Sequence, residues 1–236
     1  MIRLNKYLAS CSVASRRKCD ELIKNGDVSL NGQIIKDVGI KIDEKKDKVL
    51  VCGKPAVLPK LFYIKMHKPK GYICSACDEK GRKIIYQLLP EKLQQVRLFS
   101  VGRLDYDSEG LILLTNDGDF AQKVAHPSNK KQKTYIVTVE GQVQESELAV
   151  MRRGVVLSDK TRLPSAKITQ KGFSNNISRL EIVIDEGQNR QIRRMFEAIG
   201  KTIVLLKRVA VGNVKLGGLK RGECKDMTEE EIQSLV

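Results

Sequence analysis

The chain of 236 residues has no tryptophan, only two histidines and an aromatic content of 5%. Its six cysteines, at positions 11, 19, 52, 74, 77 and 224, are scattered, which argues against a disulfide framework and for a reduced compartment. Cys74-Ser75-Ala76-Cys77 has the spacing of a metal or redox pair. A tetrahedral zinc site needs four ligands, however, and neither a second Cys-x-x-Cys nor a histidine pair accompanies it. There is no glycine-rich nucleotide loop. Residues 1–6 carry no apolar core of signal-peptide length, and no run is long enough to span a bilayer. The expectation is a cytoplasmic protein with no metal, no cofactor and no membrane partner.

What the chain does have is positive charge: 43 Lys and Arg against 28 Asp and Glu, a net of +15 and a pI near 9.6. Without an amphipathic basic helix or long apolar segment, that excess points to a polyanionic partner, nucleic acid before membrane. The charge is also grouped. Through Lys60 there are thirteen basic and seven acidic residues, a net of +6, and from Gly187 to Lys225 ten basic and two acidic, a net of +8.

The first quarter reads as two helices and a small sheet. Leu4, Tyr7, Leu8 and Cys11 recur at helical spacing; Ser15 can cap a second helix with Cys19, Leu22 and Ile23 as its apolar stripe, ended by Asn25-Gly26. Asn31-Gly32 between Val28-Ser29-Leu30 and Gln33-Ile34-Ile35 is a strong hairpin signal, and Lys41-Ile42 and Val49-Leu50-Val51 read as further strands. Arg16, Arg17 and Lys18 sit at the start of the second helix, where positive charge opposes the macrodipole at a cost of up to about 1 kcal/mol. Such a cluster suits an external anion. Gly53-Lys54-Pro55 to Pro59 is a fair linker, dividing the chain into residues 1–58 and 59–236.

Beyond the linker, residues 62–66 read as a strand, Lys68-Pro69-Lys70-Gly71 as a turn and Tyr72-Ile73-Cys74-Ser75 as extended chain. Lys68 and Lys70 are open to RNA contact or plain solvation. Gly102-Arg103-Leu104-Asp105-Tyr106-Asp107-Ser108-Glu109-Gly110 is a charged, turned run followed by Leu111-Ile112-Leu113-Leu114, the pattern of a loop at the mouth of a strand buried on both faces. Asp105 and Asp107 lie two apart. As a pair they fit acid and nucleophile roles, but Asp-x-Asp-Ser is also ordinary turn chemistry, so spacing alone does not choose. A helix with Phe120 and Val124 inward runs towards Ala125 before His126-Pro127, and residues 133–139 alternate as a strand with Tyr135, Val137 and Val139 on one face. A helix over 145–153 stops at Gly154, and 157–169 and 179–185 read as sheet. Ile192, Met195, Phe196 and Ile199 make a helical stripe ending at Gly200, residues 205–212 form an apolar strand with a basic interruption, and Thr228 with Glu231 forms a capping box.

The run GRLDYDSEGLILLTNDG resembles the signature of the RNA pseudouridine synthases, in their RsuA-like branch that modifies ribosomal RNA. KPKGYICS resembles a second motif, in which the family usually has asparagine where this chain has His67, and EGQNRQIRRMFEAIG a third. The first thirty residues or so resemble the S4-type RNA-binding module. The resemblance implies an α+β fold: a small S4-type module, then a catalytic domain with a mixed, largely antiparallel sheet flanked by helices, working as a monomer on ribosomal RNA without a cofactor.

By motif position, the same resemblance makes Asp105 the catalytic carboxylate and leaves Asp107 to the turn. It sets Tyr135 against the target base, Arg193 as the ion-pair partner of Asp105, and Leu206 as packing for the base. RNA contacts fall on Arg3, Lys6, Arg16, Arg17, Lys18, Arg103, Arg190, Arg194, Lys207 and Arg208, the last two as phosphate ligands. The implied reaction is isomerisation of a flipped-out uridine to pseudouridine. Asp105 either attacks the ribose anomeric carbon or removes a ribose proton to give a glycal; uracil then turns and rejoins through C5. Large-subunit RNA is the first choice of substrate, with small-subunit or transfer RNA behind it. A binding-only ribosome-assembly factor and a base-removing glycosylase share the same surfaces and remain the competing classes.

Overall fold

Ser15 accepts a hydrogen bond from the Lys18 amide at 3.2 Å and starts the Arg16–Asn25 helix, and Gly26, at φ 84°, closes it. This is the cap pair expected from the sequence, and in the computed structural model, which describes residues 1–236, it frames the first of two units. Asn31 and Gly32 both have positive φ, 51° and 89°, as a two-residue hairpin requires. The hairpin strands Val28–Leu30 and Gln33–Ile35 join Val49–Val51 and Lys54–Pro55 in a four-stranded sheet. Lys41–Ile42 pairs instead with Ile2–Arg3, a strand that two residues of sequence do not announce. Leu4, Leu8, Cys19, Ile23, Val28 and Ile42 are fully buried and make this unit's core.

The units divide after Phe62, with residues 116–118 counted in the first. The reason is local. Asn116 accepts from the Phe62 amide and donates to the Lys60 carbonyl, both at 2.8 Å, which ties the end of the linker into the first unit.

The second unit is built on a nine-stranded mixed sheet. Along its main path the strands run Lys167–Ser174, Ile177–Ile184, Lys133–Glu140, Ile203–Val211, Glu109–Thr115, Tyr63–Lys68 and Cys224–Asp226. Phe99–Val101 pairs with Glu109–Thr115 and Val214–Lys215 with Ile203–Val211. The one parallel pairing between strands is Glu109–Thr115 beside Ile203–Val211, and it lasts two residues, Lys207 opposite Glu109 and Arg208 opposite Gly110. All seven residues of Glu109–Thr115 are buried, as a continuous apolar run at the centre of a sheet should be.

Helices 118–125, 145–153 and 191–198 lie where the sequence puts them, and Ile192, Met195 and Phe196 are buried. Thr228 and Glu231 form the capping box of the last helix. Two expected strand regions shrink. Residues 72–75 make only an isolated bridge, Ile73 to Ile84. Within 157–169 the strand is interrupted: Arg162–Leu163 pairs only Val155–Val156 and regular strand resumes at Lys167, because Asp159 turns the chain back by accepting from the Thr161 amide.

Candidate active site

Asp105 sits on the loop that leads into the central strand, and backbone contacts hold that loop from several sides. The Gly71 amide donates to the Tyr106 carbonyl at 2.8 Å and the Ser108 amide to the Asp105 carbonyl at 3.1 Å. Cys74 Sγ lies 3.4 Å from both the backbone nitrogen and the carbonyl oxygen of Leu104. The thiol of the Cys-x-x-Cys segment therefore serves as a clip on the Asp105 loop.

Lys68 supplies the strongest clamp, and sequence reasoning missed it. Its side chain is fully buried, and Nζ donates to the carbonyls of Ser108 at 2.7 Å, Asp105 at 2.9 Å and Pro69 at 3.1 Å. Three N–H donors meet three acceptors, which is what makes a buried ammonium tolerable. Burial still pushes its pKa down to about 8, with nearby Cys74, Asp107, Asp105 and Glu109 pulling the other way. Of the two readings open for the turn, RNA contact or solvation, neither applies to Lys68. Its place at the end of an alternating strand before a proline was the available signal. Lys70 donates to the Val204 carbonyl at 2.9 Å.

Gly110 explains how the two parallel strands approach. It has φ 113°, and a Cβ there would lie 2.1 Å from the Arg208 carbonyl oxygen, so only glycine fits. The approach sets the Asp105 loop beside the strand carrying Leu206 and Arg208. Together they wall a cleft of about 360 Å³. Arg103, Asp105, Ser108, Lys133, Tyr135 and Leu206 line it, with Arg190, Gln191 and Arg208. Tyr135 is in register with Arg208 and Val137 with Leu206, which puts the tyrosine and the leucine on one face of the sheet.

The structure therefore brings Asp105, Tyr135 and Leu206 to one cleft, and Arg103 and Arg190 to its lining. Arg193 departs from expectation. Its Nη2 lies 3.0 Å from Asp107 Oδ2 and donates to the Asp107 carbonyl and the Ser108 hydroxyl, both at 3.2 Å. The ion pair with Asp105 is replaced by one with Asp107, since the helix carrying Arg193 meets the loop two residues further on. Asp107 is thus more than a turn residue.

Arg208 also departs from its expected place on a phosphate. It is 4% exposed, and its Nε donates to the Leu111 carbonyl at 2.7 Å. Lys207, its neighbour, is partly buried on the opposite face of the strand. Arg194 pairs with Asp159 at 3.3 Å and Arg190 with Glu197 at 3.6 Å. In the first unit Arg3, Arg16 and Arg17 are exposed and Lys6 is half-buried, while Lys18 pairs with Glu21 at 2.6 Å. Behind the cleft a second buried group went unforeseen. Glu109 takes two bonds from Arg221, at 3.1 and 3.3 Å, with His67 Nε2 4.0 Å from it. Burial lowers the His67 pKa, and its Nδ1 lies 2.8 Å from the Leu219 carbonyl oxygen.

Comparison with known proteins agrees with this geometry. Residues 62–198 match the RNA pseudouridylate synthase family and residues 2–49 the S4 domain. The chain is 40% identical over 236 residues to the ribosomal large subunit pseudouridine synthase B of Bacillus subtilis (strain 168), covering all of this chain and 96% of the relative. It is 37% identical over 247 residues to a putative chloroplastic ribosomal large subunit pseudouridine synthase of Arabidopsis thaliana, covering 99% of this chain and 60% of that protein. A crystal structure of a pseudouridylate synthase superposes over the whole of both chains with a TM-score of 0.71 at 31% identity. On these matches the chain carries an S4 domain and belongs to the family of RNA pseudouridine synthases.

Proposed function

We propose that this enzyme converts a uridine of large-subunit ribosomal RNA to pseudouridine, with Asp105 as the catalytic carboxylate. The observation that carries the reading is the placement of Asp105 in the cleft wall, on a loop held by Lys68 and Arg193, with Tyr135 and Leu206 on the facing strands. A carboxylate on a fixed loop keeps its attack geometry without reordering during the reaction. The target nucleotide leaves its stack to enter the cleft, at a cost of a few kcal/mol. Asp105 acts at the ribose, the C1′–N1 bond breaks, and the uracil turns and rejoins C1′ through C5; the C5 proton departs and N1 gains one. Tyr135 gives the base a ring face, and its hydroxyl can handle a proton. Leu206, on the same face of the sheet, packs against the base beside it. Arg193 acts on the loop through Asp107.

The names of the relatives favour the large subunit. The basic S4 domain suits a structured RNA, and the protein acts as a monomer in the cytoplasm. Pseudouridine mapping of RNA from cells with and without the protein tests the target. The expected result is one or a few sites lost from large-subunit RNA. Loss from small-subunit or transfer RNA moves the target, and no loss anywhere contradicts the reading.

A further inference from the structure

Two buried nitrogen donors without a protein partner line the active cleft. Arg208, 4% exposed, is locked at one end by its Nε bond to the Leu111 carbonyl, while Nη2 is buried and bonds nothing. Gln191, 3% exposed, opens the Gln191–Ala198 helix. Its Oε1 accepts from the Gln188 amide at 3.3 Å, which fixes the orientation of the carboxamide: turned over, it would set donor against donor. Its Nε2 is therefore a donor, buried and unpartnered. Leaving two such groups unmade is costly unless a ligand makes the bonds. Lys133 lines the same cleft, its pKa lowered by burial first and then by the charge of Arg208, with Asp185 and Glu186 pulling the other way.

We propose that Arg208 and Gln191 read the target base by donating hydrogen bonds to its two carbonyl oxygens. The inference rests on the reading of the cleft as the site of pseudouridine formation. Phosphates fit the exposed cations at the rim, such as Arg103, better than a desolvated floor. Uracil offers acceptors at both C2 and C4. Cytosine offers an amine at C4, which sets donor against donor, so the pair selects uridine over cytidine. When the C1′–N1 bond breaks, its electron pair leaves with uracil and spreads onto the same two oxygens. The Arg208 guanidinium then faces developing negative charge from a fixed position, with no proton transferred.

The test uses ribosomal RNA transcripts containing C5-tritiated uridine and follows single-turnover tritium release, RNA affinity and melting temperature. Gln191→Glu keeps the acceptor for the Gln188 amide and turns the free donor into an acceptor. Arg208→Met removes the other donor. Each is expected to slow release by about 10²-fold while RNA affinity changes by less than about threefold, as expected of contacts confined to one base. Transcripts made with 2-thiouridine or 4-thiouridine weaken one carbonyl acceptor at a time. Wild type should lose rate on one or both, and the matching variant should show no further loss. Wild-type rates in both variants, or thio effects undiminished in both, overturn this inference alone. No release by the wild type overturns it together with the functional reading.

Discussion

Arg193 is bonded to Asp107 and not to Asp105, with Nη2 3.0 Å from Asp107 Oδ2. The guanidinium therefore fixes the loop that carries Asp105, the proposed catalytic carboxylate, through the Asp107 side chain, the Asp107 carbonyl and the Ser108 hydroxyl. A double-mutant cycle with Arg193→Lys and Asp107→Asn should give a coupling of about 0.5–1 kcal/mol in stability, at the lower end for interacting pairs because Asp107 is half exposed. Both single variants should also slow turnover. Additive effects would mean that the pair carries nothing.

Lys68 ties the loop to alkaline pH. With the folded pKa near 8, below the ordinary 10.5, the folded chain binds fewer protons than the unfolded one between those values, so this group makes stability rise with pH across that window. Activity should move the other way. A neutral amine has two N–H donors for three carbonyls, so the loop loosens and turnover falls as pH passes about 8. A pH–rate profile under saturating RNA checks this; a flat alkaline limb to pH 10, with folding intact, contradicts it.

Gly110→Ala should be among the most damaging single changes. Its Cβ collides with the Arg208 carbonyl and its φ is unsuited to alanine. The expected loss is about 3 kcal/mol, or a fall in Tm of roughly 6–12 °C, read by thermal unfolding. A Tm within a degree of wild type would mean that the strands part freely.

In the S4 domain, Arg16→Ala and Arg17→Ala should each weaken RNA binding and lower the slope of log K against log salt by about one unit. An unchanged slope would leave these residues as solvated charges.

The legible parts of the fold were those set by near neighbours in sequence. Ser15 with Lys18, Asn31 with Gly32, and Thr228 with Glu231 are contacts within three residues, and each formed as expected. The loop around Asp105 and the buried strand after it were legible for the same reason. Lys68 was not, because its partners at Asp105 and Ser108 lie 37 and 40 residues away. Arg208 looked like a phosphate ligand because the Leu111 carbonyl that captures it is 97 residues away. A basic residue reads as exposed until the sheet is assembled around it. Arg193 was placed on the right loop by its motif, but a shift of two residues along that loop is decided by packing, which no motif spacing records.

The central claim is that Asp105 performs the chemistry and does not bind the RNA. Tritium release from C5-labelled ribosomal RNA, measured for wild type and Asp105→Asn alongside RNA affinity, tests it most directly. The account predicts no release by the variant above background, with affinity near that of wild type. Continued turnover by Asp105→Asn would contradict it.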